Sequence, residues 1–191
     1  MAQTAIVKRP HRHSDEELQD ISEHLHYEIQ MLYGTAWMLA AFRVPTTLSP
    51  LEQHIVHNAL LESFTIHVRN LLDFLYGPGS KPDDVLSDDF FDDPSLWPQK
   101  RPPKSSLLAE AHKRVGKEVA HSTYGRLKVT PETKPWSYLL IAREIGAVLQ
   151  EFIKFVPTIR LNERVMKALK ELQVPDLDVD QSAGGGEASR V

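Results

Sequence analysis

The chain has 191 residues, of which 41% are hydrophobic and 25% charged, with 22 Lys and Arg against 26 Asp and Glu for a formal net charge of −4. That balance fits one globular domain with a sizeable core and excludes a disordered chain. The absence of cysteine excludes disulfides, zinc ribbons, iron–sulfur ligation and a thiol nucleophile, and the mildly acidic balance weighs against a dedicated nucleic-acid binder.

No apolar run approaches the roughly 20 residues of a membrane span. Residues 1–13 are basic without an apolar stretch, which does not read as a signal peptide, so a flexible leader and a cytoplasmic address are expected. Ser14 and Glu17 form a capping box at the start of a helix over residues 15–42. Its apolar stripe is Leu18, Ile21, Leu25, Ile29, Leu32, Ala36 and Ala40. A second helix opens at Ser49-Pro50-Leu51-Glu52 and stops at Gly77-Pro78. Its apolar arc of Val56, Leu60, Phe64, Val68, Leu71, Leu72 and Leu75 predicts deep packing.

Residues 77–104 are dense in proline and carry six aspartates between Asp83 and Asp93. They predict a long acidic loop with one helical turn near 87–91, either a lid or a loosely ordered crossover. A third helix is expected from Ser105 or Ser106 to about Tyr124, and a fourth, apolar on most sides, from about Pro135 to Phe155. The fourth helix predicts surplus apolar surface for an interface. A shorter fifth helix carries Leu161, Val165, Leu169 and Leu172, and the tail from Pro175 reads as disordered. The expected architecture is therefore an all-α bundle of four long helices and a shorter one within residues 14–174.

Two polar rows stand out. On the third helix Glu110, Arg114, Lys117, His121 and Tyr124 recur at steps of four and three, which stacks Arg114 and His121 two turns apart, roughly 10 Å along the axis. On the second helix Asn58, Glu62, Thr65, Arg69 and Asp73 do the same. If the rows face each other they line a cleft containing Glu62, Arg69, Lys117 and His121; if not, both are solvated faces. His can move protons near neutral pH, and Arg can hold charge developing on a phosphorane.

The segment Arg114-Val115-Gly116-Lys117-Glu118-Val119-Ala120-His121 resembles the Arg, four to six residues, His signature of the HEPN superfamily of small helical bundles. The position after the Arg, often Asn, Asp or His in that family, is Val115 here. The resemblance implies a homodimer whose two motifs meet in a composite cleft that binds RNA or nucleotide. It also implies metal-independent endoribonuclease chemistry by Arg114 and His121. In that reading Lys117, Arg126, Arg69, Glu62 and Tyr124 would contact substrate, and an antitoxin-like protein is a candidate partner. The alternative is a non-catalytic helical module for dimerisation or protein interaction.

Nine histidines invite a metal reading. The Glu23/His26 and Glu118/His121 pairs have di-iron spacing but do not converge on a core, and His57 and His67 read as packed core histidines. No phosphate loop, dinucleotide fingerprint or nucleophile elbow is present, so no cofactor and no metal site are expected.

Overall fold

The computed structural model describes residues 13–41, 43, 45–79, 81–116 and 135–171, with positions 124, 127 and 130. Among the described residues six α-helices run in chain order: α1 Asp15–Ala41, α2 Pro50–Tyr76, α3 Leu96–Lys100, α4 Ser106–Arg114, α5 Tyr138–Phe155 and α6 Glu163–Glu171. Two 3₁₀ turns, Ser87–Phe90 and Thr158–Arg160, punctuate the connections. Among the described residues there is no strand, so the class is all-α.

Both long helices start as their caps dictate. The Ser14 amide donates to Glu17 at 2.8 Å while the Glu17 amide donates to Ser14 Oγ at 3.1 Å. Ser49 and Glu52 repeat this reciprocal pairing at the start of α2. Helix α1 packs along α2, α5 and α6. The core is one cluster in which Leu25, Ile29, Leu32, Phe64, Leu71 and Leu149 are buried. Where α1 crosses α5, Gly146 faces Tyr33, leaving no room for a side chain, and burial pushes the Tyr33 phenol up to about 12.

Among the described residues three helices are long; the third predicted helix is described as the nine-residue α4, which widens into a π-turn at Val115 and Gly116, and its expected continuation over 117–123 lies outside the described residues. Helix α2 is deeply packed only from Phe64 onward, and His57, expected in the core, is exposed. The fourth predicted helix, α5, buries Ile141, Ile145, Val148, Leu149 and Phe152 inside the chain and leaves Leu140, Ala147 and Phe155 exposed.

The acidic stretch is docked, and it carries a second helix, α3, that its prolines concealed. Phe90, Phe91 and Trp97 enter the core, with Trp97 stacked on Phe91 and edge-on to Phe152. Its polar groups end on the last turn of α2, where helix carbonyls lack intrahelical partners. Ser87 Oγ donates to the Phe74 carbonyl at 2.9 Å, and both Trp97 Nε1 and Arg101 Nη1 donate to the Leu75 carbonyl, at 3.2 and 2.9 Å. Arg160, nearly buried, holds the other end. It donates to Asp15, to the Phe90 carbonyl and to Asp92 at 2.6, 3.0 and 2.7 Å.

Candidate functional site

The outer face of α2 carries Glu62, Ile66, Arg69 and Asp73 at steps of four, three and four, so they line up along the axis. Helix α4 crosses this row, held by His112, whose Nε2 lies 2.9 Å from Asp73 Oδ1. Lys104 Nζ lies 3.4 Å from the other ring nitrogen. Lysine can only donate, so in this arrangement Nδ1 is the acceptor and Nε2 the donor to Asp73. Arg69 adds an ion pair to Asp73 at 3.4 Å. The hydrogen bond with His112 holds the Asp73 carboxyl below the usual carboxylate range, with Arg69 adding to it and burial opposing it. Burial lowers the Lys104 ammonium, opposed by Asp73 and reinforced by Arg101.

On the α1 side, buried His67 sits 2.7 Å from Glu28, whose two oxygens also accept from Asn70 Nδ2 at 3.2 Å. Tyr27 meets the His67 ring edge-on at 5.6 Å. Two neighbouring clefts along α2 share Arg69, Asn70 and Asp73. The larger, about 600 Å³, lies between α1, α2 and the start of the acidic stretch, with Ile21, Leu25, Phe74, Val85 and Leu86 as its apolar lining. The smaller, about 450 Å³, is formed by Glu62, Thr65 and Ile66 of α2 with Val115 at the end of α4. Together they make a groove from Glu62 to Gly77, roughly 22 Å by the helical rise. Its charged lining is Glu28, Glu62, Asp73 and Asp84 against Arg69 and Lys81.

The structure brings together part of the expected cleft. Glu62 and Arg69 line the smaller cavity beside Val115, so this part of the α2 row turns towards α4. Arg114 ends α4 with its guanidinium 4.1 Å over the Trp136 ring and Nη1 donating to the Pro135 carbonyl at 3.2 Å. Tyr124 is 90% exposed, and residues 117–123 between it and α4 lie outside the described residues. Lys117, His121 and Arg126 lie outside the described residues, as do the leader through residue 12 and the tail. Glu23 pairs with Arg164 at 2.7 Å. Among the described residues no three His, Asp or Glu side chains are grouped to hold a metal.

Sequence reasoning missed His112, Glu28 and Lys104. His112 follows the buried Ala111 and so sits at the edge of the apolar side of α4, where a polar residue meets a neighbouring helix. That edge position was the available signal. Comparison with protein-family models, curated proteins and solved structures finds no match for this chain.

Proposed function

We propose that this chain is a non-catalytic helical interaction module whose working surface is the α2 groove. One observation carries the reading: several of the charged groups on and beside the groove are already engaged within the fold. Asp73 holds His112 and Arg69, Glu28 holds His67 and Asn70, and Arg114 is laid on Trp136. What remains open is an apolar channel with an acidic rim, which supports protein recognition over a polyanion. The test is selection of twelve-residue random peptides by phage display on the full chain. Selected peptides should lose binding when Ile66→Glu is introduced into the groove. Display that yields none, or peptides indifferent to that change, removes the reading.

The second reading is the HEPN-like homodimer that binds RNA or nucleotide and cleaves RNA without metal. What favours it is the turn of Glu62 and Arg69 towards the end of α4, the helix bearing Arg114. Purified protein incubated with mixed RNA in excess chelator decides it. Cleavage abolished by both Arg114→Ala and His121→Ala, in folded protein, would establish it in place of the interaction module.

A further inference from the structure

Resting on the interaction-module reading, we infer that the α2 groove takes an extended peptide segment of a partner protein with aliphatic residues at one end and basic residues after them. The occupant's chemistry follows from the two ends of the groove. The large cleft has an aliphatic and aromatic floor in which Val85 is 39% exposed and Ile21 and Phe74 flank it. A pair of branched aliphatic side chains matches that floor, and their removal from water is the main source of affinity. Asp84, which accepts from the Lys81 amide at 2.8 Å, lines the cleft next to Val85, and Asp73, paired with His112 and Arg69, lies at the junction of the clefts. A basic side chain directly after the aliphatic pair therefore enters the negative field of both carboxylates.

Glu62 marks the far end, about 16 Å from Asp73 by the helical rise. It makes no ion pair among the described residues. An extended chain advances about 3.3 Å per residue, so a second basic residue four or five positions further along reaches it. The whole groove accommodates about seven residues. A polyanion would meet four carboxylates against two cations along the same path, whereas a basic segment gains attraction and a faster encounter.

The probe is the fluorescein-labelled heptapeptide Leu-Ile-Lys-Ser-Gly-Ser-Arg, with its retro sequence and the counterpart Leu-Ile-Glu-Ser-Gly-Ser-Glu, titrated with the full chain by fluorescence anisotropy. One basic order should bind saturably and the acidic counterpart at least tenfold more weakly. Val85→Asp should weaken the basic peptide tenfold or more. Asp84→Asn and Glu62→Gln should each weaken it severalfold and flatten its salt dependence. Asp84→Asn and Glu62→Gln decide the outcome if Val85→Asp melts early. No binding, equal binding of basic and acidic peptides, or indifference to both charge variants overturns the proposal. If display meanwhile selects acidic or wholly apolar peptides that Ile66→Glu blocks, the peptide class is wrong and the module reading stands. Failure of display as well removes both.

Discussion

Nε2 of His112 lies 2.9 Å from Oδ1 of Asp73, across 39 residues of chain, and this hydrogen bond is the polar tie between α4 and α2. It sets where α4 lies on the second helix and therefore how wide the smaller cleft opens. The tie is charged on one side and half-exposed, with Asp73 showing 49% of its side chain. Its strength is accordingly moderate and depends on pH.

The Asp73 carboxyl is depressed in the folded chain, so it binds its proton less readily there than in the unfolded chain. Its contribution is fully present above the ordinary carboxylate value of about 3.9 and is lost as the pH falls through its lowered one. Asp73→Asn should destabilise by about 1 kcal/mol at pH 7, a charge-assisted hydrogen bond discounted for exposure. Urea unfolding at pH 7 and at pH 3 checks this, because the gap between wild type and variant should shrink at the lower pH.

Arg114→Ala should cost about 1 kcal/mol, for a half-exposed cation over an indole ring and a lost hydrogen bond to Pro135. The change should also be visible in the emission of Trp136. Arg114→Lys keeps the charge but not the planar stack, so it should recover only part of the loss. A variant as stable as wild type would mean that the guanidinium does not hold α5 to α4.

Trp97 is fully buried among Phe91 and Phe152. Trp97→Ala should cost about 3–5 kcal/mol by the usual truncation range. Trp97→Phe keeps most of the volume and leaves Leu75 with its Arg101 donor, so a loss nearer 1–2 kcal/mol is expected. Denaturant midpoints of the two variants distinguish a packing role from a purely hydrogen-bonding one.

Gly146→Ala sets a methyl group against the Tyr33 hydroxyl at the crossing of α1 and α5. The expected loss is about 1–3 kcal/mol from overpacking. Combining it with Tyr33→Phe should restore part of the stability, because the obstructing oxygen is then gone. Thermal melts of the single and double variants measure that coupling directly.

The starts of α1 and α2 were legible because Ser14/Glu17 and Ser49/Glu52 are local signals that the folded chain uses directly. The N-terminal half of α2 was misread for the opposite reason. A helical wheel treats every turn alike, but the core covers this helix only from Phe64 onward and leaves His57 outside. The third predicted helix is described as α4, and the rest of its polar row before Tyr124 lies outside the described residues. His112 and Glu28 escaped notice because each acts through a partner 39 residues distant, Asp73 and His67, and spacing within one helix carries no information about that.

The docking of Ser87, Trp97 and Arg101 onto the last carbonyls of α2 reverses the obvious choice of where to open this chain. Judged by composition, the proline- and aspartate-rich stretch is the natural place to insert a tag or create new termini. Physically it is the wrong one, since a cut there releases core side chains and uncaps a long helix together. The short turn between α1 and α2 is exposed at its described residues Arg43, Pro45, Thr46 and Thr47, and is the site that should accept foreign sequence.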